Sequence, residues 1–168
     1  MASTIIIVTF DDMDKAGQAY DSIHSMENEN LVLLKDAEVI VKNAEGKISV
    51  KETRDVSTRR GVITGGTLGL IIGIVVGGPI VGLIAGGLLG AWTAKKIDLG
   101  ISEDKIKSVT DDMKNESSAL FLQIEKAEEK DWLAAVIRES GGNVVELELS
   151  EDAEVAVNEH LTDYTARH

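Results

Sequence analysis

The chain contains no cysteine, which excludes disulfides, thiol nucleophiles and thiolate metal sites. Proline occurs once, at position 79. Aromatic residues make up only 4% of the 168 positions, so any core must be built from aliphatic side chains. Basic residues are outnumbered 29 to 17 by acidic ones, for a net charge of −12. Phosphate binding needs a basic surface, so this balance argues against a nucleic-acid partner. It also argues against broad electrostatic adhesion to anionic lipid. The only histidines are His24, His160 and His168, and none stands at metal-ligand spacing from another. Met1-Ala2-Ser3-Thr4 carries no basic stretch ahead of its apolar run, unlike a secretory leader.

What the chain has in quantity is glycine in strict phase. Gly61, Gly65, Gly69, Gly73 and Gly77 form one ladder of period four. Gly78, Gly82, Gly86 and Gly90 form a second, and the two meet at Gly77-Gly78-Pro79. All 34 residues from Gly61 to Ala94 are uncharged, and most are Ile, Leu, Val, Ala or Gly. Each glycine inside a helix costs about 1 kcal/mol relative to alanine. Close helix–helix approach, which large side chains would block, recovers that cost. Each step of four residues turns the stripe by about 40° beyond a full turn, so it winds around its helix and faces more than one neighbour.

Gly77-Gly78-Pro79 breaks any single helix, because proline inside a helix costs about 3 kcal/mol. The segment therefore reads as a hairpin of two helices, 57–76 and 79–96, hinged at Gly77, Gly78 and Pro79. Proline is tolerated at the first turn of the second arm. Arg59 and Arg60 stand at the start of the first arm, and Lys95 and Lys96 at the end of the second, so the hairpin brings both basic clusters to one end. Trp92 lies one turn from the lysines, at the level where an aromatic belt would meet a bilayer. Those five residues are the candidate membrane boundary, with the positive end cytoplasmic. The arms are short for the purpose. Sixteen residues make about 24 Å of helix, against a hydrocarbon thickness of about 30 Å. The tip also lacks polar side chains. Both points favour many hairpins packed together over a lone one.

On either side of this segment the pattern is α+β. Thr4–Phe10 is a continuous β-branched run, as in a strand buried on both faces. A helix from Asp11 to Met26 follows, capped by Asp11 or Asp12, with Ala16, Ala19, Tyr20 and Ile23 on one side. Leu31–Lys42 reads as a strand with a bulge at Lys35-Asp36. A turn at Asn43–Gly46 leads into a hairpin strand, Lys47–Glu52. Beyond the glycine segment come a helix from Ser102 to Asn115 bearing Ile106, Val109 and Met113, and a strand, Ala119–Ile124. Glu128–Ser140 is a helix, with Trp132, Ala135, Val136 and Glu139 at helical spacing and Trp132 as core; Gly141-Gly142 stops it. Strand 145–149 and a Ser150-capped helix through Val155, Val157 and Leu161 complete the chain. Two β-α-β halves in this order predict a ferredoxin-like sandwich with its helices on one face of an antiparallel sheet. The hairpin strand, glycine segment and Ser102 helix then lie between the halves. The alternative makes Lys47–Glu52 a regular sheet member and the last helix–strand pair the addition. Residues 1–56, 57–98 and 99–168 form first half, hairpin and second half.

The stretches IIIVTFDDMDKAGQA, RRGVITGGTLGLIIGIVVGGPIVGLIAGGLLGA and ALFLQIEKAEEKDWLAAVIRESGG together resemble a family of small bacterial and archaeal proteins of unknown function. These are described as membrane proteins and join a ferredoxin-like α+β domain to an internal glycine-zipper hairpin. The resemblance spans nearly the whole chain and implies architecture. It supplies no catalytic residues.

The residues themselves supply none either. Asp11-Asp12, Asp111-Asp112 and Glu128-Glu129 lie at helix starts or on wet faces, where acid complements the helix dipole. Ser57, Thr58 and Thr64 fit capping or back-bonding. Gly141-Gly142 matches no phosphate loop. His24 falls beyond the apolar stripe of its helix, at the surface. The expectation is a non-enzymatic protein without cofactor: a homo-oligomeric, membrane-associated scaffold assembled through its glycine hairpins, in contact with lipid, its α+β part cytoplasmic. One alternative is a soluble, cytoplasmic particle or filament with the hairpins sealed in a shared apolar core. Another is a membrane-anchored sensor of small ligands.

Overall fold

In the computed structural model the described residues are 3–51, 68, 71, 72, 75, 103–124, 130–152 and 155. Five strands form one antiparallel sheet: β1 (Ser3–Phe10), β2 (Leu34–Lys42), β3 (Ile48–Lys51), β4 (Ser117–Ile124) and β5 (Asn143–Leu149). Their spatial order is β3-β2-β4-β1-β5. Helix α1 (Lys15–Asn28) joins β1 to β2, α2 (Glu103–Asp112) precedes β4, and α3 (Lys130–Glu139) joins β4 to β5. Each β-α-β unit leaves a gap, and the other unit's first strand fills it. β4 stands between β1 and β2, and β1 stands between β4 and β5. β3 pairs only with β2, at the edge.

The two central strands are apolar at odd and even positions alike, so both faces of the sheet demand cover. On one face Ile6, Val8, Leu120 and Leu122 pack under α1, through Ala16, Tyr20 and Ile23, and under α3, through Leu133, Ala134 and Ile137. On the other face Ile5, Ile7, Ala119 and Phe121 are equally buried, beneath Val109 and Met113 of α2 and next to it. Helical cover on a single face, as expected from the sequence, is therefore replaced by cover on both.

Several local expectations hold. The register of β2 against β4 slips between Leu34 and Asp36, the predicted bulge. The cap expected at Asp11 or Asp12 is instead Asp14, which makes no side-chain cap bond, and α1 starts at Lys15; the Asp12 carboxylate, two residues ahead of that cap, accepts the Asp14 and Lys15 N–H groups at 2.8 and 3.1 Å. Asn43 Oδ1 accepts from the Glu45 and Lys47 N–H groups and shapes the turn before β3. His24 is at the surface, stacked on Tyr20 with ring centroids 5.6 Å apart.

Trp132 departs from expectation: it is 45% exposed. The phase of α3 is set by Leu133, Ala134 and Ile137, which turn inward and leave Trp132 and Ala135 outside. A register burying Trp132, Ala135 and Val136 would also bring Glu139 toward the core. Ser102, Glu128-Glu129, Ser57, Thr58, Thr64, Val157, Leu161, His160 and His168 lie outside the described residues.

Gly141 and Gly142 both end α3, for different reasons. Gly141 takes φ +84°, the left-handed conformation that closes a helix. Gly142 runs against β1: a Cβ built there falls 2.8 Å from Phe10 Cε1 and closer still to Val8 Cγ1. Gly142→Ala is expected to lose about 1–3 kcal/mol through overpacking, read from urea unfolding. Gly17→Ala, where a Cβ meets nothing within 4 Å, is the neutral or stabilising control.

Candidate functional site

The sheet face under α2 is completed by part of the glycine segment. Leu68, Ile71, Ile72 and Val75 are helical and fully buried. Their spacing of three, four and seven residues places them on one side of a helix. They belong to the same core as Ile5, Ile7, Ile40, Phe121, Leu147 and Leu149, joined by Val109 of α2 and Met113 just after it. Burying a side chain of this size contributes about 1.5–3 kcal/mol, so four of them form a substantial part of the fold.

A polar contact fixes the upper end of this stripe. The Val75 carbonyl would ordinarily accept from the N–H four residues on, but residue 79 is proline and has none. The Thr110 hydroxyl of α2 lies 3.1 Å from that carbonyl and 3.0 Å from the Ile106 carbonyl, and its one proton serves either. A carbonyl orphaned by sequence thus receives a donor from another element. It also ties Val75, two residues before Gly77, to the last turn of α2.

The remaining polar contacts hold the frame together. Ser118 of β4 accepts the Ala16 N–H at 3.1 Å and donates to the Asp12 carbonyl, joining the start of α1 to the sheet. Asp112, at the end of α2, accepts from Thr9 of β1 at 3.3 Å and from Asn143 of β5. These are neighbours at one end of the sheet, since Thr9 and Asn143 stand opposite each other in the β1–β5 ladder. Each hydroxyl and amide is spent on a structural bond. Among the described residues there is no group of three or more His, Asp or Glu side chains able to hold a metal. Nor do the described residues contain a helix long and apolar enough to cross a membrane.

The predicted assembly residues Gly61, Gly65, Gly69, Gly73, Gly77, Gly78, Gly82, Gly86 and Gly90 lie outside the described residues. So do Pro79, Arg59, Arg60, Trp92, Lys95 and Lys96. Sequence reasoning missed the role of the side chains set between the glycines. The signal was there as the spacing of Leu68, Ile71, Ile72 and Val75, but an almost uniformly apolar segment gives such a stripe little contrast.

A family profile described as a protein of unknown function, DUF1269, matches residues 62–162, more than half of the chain. The chain belongs to the DUF1269 family. The DUF1269 match opens inside the glycine segment and runs through α2, β4, α3 and β5. The matched stretch therefore includes the stripe together with β4 and β5, while β1, β2 and β3 precede it. No curated protein and no solved structure matches the chain.

Proposed function

We propose that this protein is a non-enzymatic scaffold that assembles with copies of itself through its glycine ladders. Its α+β part we read as a ferredoxin-like sandwich, extended by β3 at one edge and roofed on the second face by α2 and the first glycine arm. The interleaved β-α-β units and the order β2-β4-β1-β5 support that reading.

The observation that carries the functional reading is how the first arm spends its surface. Leu68, Ile71, Ile72 and Val75 are already used against the sheet. At about 100° per residue they cover an arc of about 100°, and Gly69 and Gly73 fall about 110° and 150° from its middle. On a continuous helix the upper ladder positions thus fall away from the stripe that meets the sheet, whereas Gly61 falls within its arc and Gly65 at its edge. A smooth glycine side left over by the domain suits a second helix at close range. Within one chain that helix is the second arm. Because the ladder winds, part of it is left for another chain.

Membrane association is a second reading, favoured by the basic residues flanking both arms and by Trp92 beside Lys95 and Lys96. It concerns chiefly the second arm, since the apolar stripe of the first is occupied.

Light scattering on the purified protein, with and without detergent, tests both readings. The expected result is a particle several times the 18.0 kDa chain mass. Gly69→Leu combined with Gly82→Leu should reduce it toward the single chain while the circular dichroism of the folded domain stays. A wild-type monomer, or an unchanged particle mass in the double variant, overturns the scaffold reading. A detergent-independent particle free of lipid by mass spectrometry overturns the membrane one.

A further inference from the structure

The two faces of the sheet are covered by different means. On the first, α1 and α3 each join two strands through short connections, from Phe10 to Lys15 and Asn28 to Leu34, and from Ile124 to Lys130 and Glu139 to Asn143. Directional bonds add to this hold, since Ser118 of β4 takes the Ala16 N–H and donates to the Asp12 carbonyl. On the second face, the helical stripe of Leu68, Ile71, Ile72 and Val75 is joined to the rest through residues 52–67 and 76–102. Longer connections cost more entropy to close, so release returns more freedom to this arm than to α1 or α3. Its burial is apolar and without direction. Against that burial stands the entropy of ordering the arm, and glycine at 69 and 73 raises it.

Among the described residues, the polar tie between this stripe and the rest of the fold is the Thr110 hydroxyl on the Val75 carbonyl. That tie has a second resting place. Thr110 Oγ1 lies 3.1 Å from the Val75 carbonyl and 3.0 Å from the Ile106 carbonyl, four residues back on its own helix. When the arm lifts, the proton turns wholly to Ile106, a partner that helical threonine commonly uses. No donor is then stranded on α2. On the arm, the freed Val75 carbonyl meets water. Breaking a hydrogen bond is expensive when it leaves a buried group unpaired, and here neither side does so.

We infer that the arm carrying Leu68, Ile71, Ile72 and Val75 lifts off the sheet as a unit, with Thr110 as its latch, while the sheet stays packed under α1 and α3. Openings of this kind draw on the parts of a fold with the weakest hold. The open form is minor and weak, because lifting bares Ile5, Ile7, Phe121 and Leu147 together with the stripe. Thr110 is a positioning residue in this device, acting through the Val75 carbonyl. The latch does not depend on what the glycine ladders meet.

The absence of cysteine allows a direct test. A single thiol is placed in the stripe, by Ile72→Cys or separately by Leu68→Cys, or on the opposite sheet face by Leu122→Cys. Its reaction with an aromatic disulfide reagent is followed in the full-length native protein. The thiols at 68 and 72 should react at similar rates, and about ten-fold or more faster than the thiol at 122. The deciding comparison adds Ile137→Val, which loosens only the face under α3. It should speed the thiol at 122 by about five-fold and leave both stripe thiols unchanged, since that face stays packed when the arm lifts. Thr110→Val should speed the stripe thiols by about five-fold, the worth of one hydrogen bond. Thr110→Ser, which keeps the hydroxyl, should hold them near the original rate. Stripe thiols that react no faster than the thiol at 122, or that follow it when Ile137→Val is added, overturn the opening. Stripe rates indifferent to Thr110→Val, or raised as much by Thr110→Ser, overturn the latch.

Discussion

Replacing Ile71 with aspartate is expected to destabilise the α+β domain by about 4 kcal/mol or more, although residue 71 sits in a segment that reads as a membrane hairpin. Ile71 is fully buried in the core that includes Phe121, Ile7 and Leu147. Truncating a buried isoleucine costs about 2–5 kcal/mol by itself. A carboxylate placed in an apolar layer adds the cost of desolvating a charge without a partner. Domains of this size are stable by about 5–15 kcal/mol, so the variant should be largely or wholly unfolded. Ile71→Leu, which keeps the volume, should lose less than about 1.5 kcal/mol. Urea unfolding followed by far-ultraviolet circular dichroism reads both. If the stripe instead faced lipid or another copy, Ile71→Asp would alter assembly and leave the unfolding midpoint of the domain in place. Gly69→Leu, two residues away, is expected to behave in the reverse manner, harming assembly more than fold.

The contrast between neighbouring positions explains what the sequence disclosed and what it hid. Thr4–Phe10 and Ala119–Ile124 are apolar at every second position in both phases, which is legible as burial on two faces. Burial on two faces calls for cover on both sides of the sheet, although the β-α-β order put the helices on one. After α1 and α3 cover one face, the Ser102 helix supplies only Ile106, Val109 and Met113 for the other. The missing cover lay in the glycine segment, where hydrophobicity is so even that a period of three and four residues barely rises above it. The glycine period of four was more visible and drew the whole segment toward a zipper. The bulge at Lys35-Asp36 was legible because it interrupts a strict alternation. The size of the Trp132 ring suggests core, but helix phase is decided by Leu133, Ala134 and Ile137, which leave it outside. The ties from Ser118 to Asp12 and from Thr9 to Asp112 join residues about a hundred positions apart. No local pattern announces such partners.

The family match gives these observations a common frame. It begins at residue 62, ahead of the stripe, and ends past β5. A segment that merely anchored an otherwise complete domain would leave α2 and Met113 as the cover of the second sheet face among the described residues. With Leu68, Ile71, Ile72 and Val75 in the core, the glycine segment is both roof and connector. Those four side chains belong to the domain, and the scaffold reading proposed above leaves the glycines for a neighbour. On that reading assembly and folding are linked, because a partner that held the ladder would also hold the roof on the sheet.

Two adjacent residues of β4 put that arrangement to its sharpest test. Phe121 and Leu122 point to opposite faces of the same central strand, and both are fully buried. Leu122 sits beneath α1 and α3, and its replacement by alanine should cost about 2–5 kcal/mol. Phe121 sits beneath α2 and the glycine-segment stripe, and Phe121→Ala should cost about 3–5 kcal/mol. A sheet covered on one face predicts a very different pair of numbers, with Leu122→Ala severe and Phe121→Ala mild. Equilibrium unfolding of the two single variants in the full-length chain separates the cases. The double variant refines the answer. Side chains on opposite faces share no cavity, so their losses should add to within about 0.5 kcal/mol. Phe121→Ala combined with Ile72→Ala removes two members of one apolar layer, and there the losses should depart from additivity by about 0.5–3 kcal/mol. That coupling between a central strand and a residue three positions beyond Gly69 would show that the glycine segment folds as part of the sheet it covers. Additive losses would place Ile72 elsewhere.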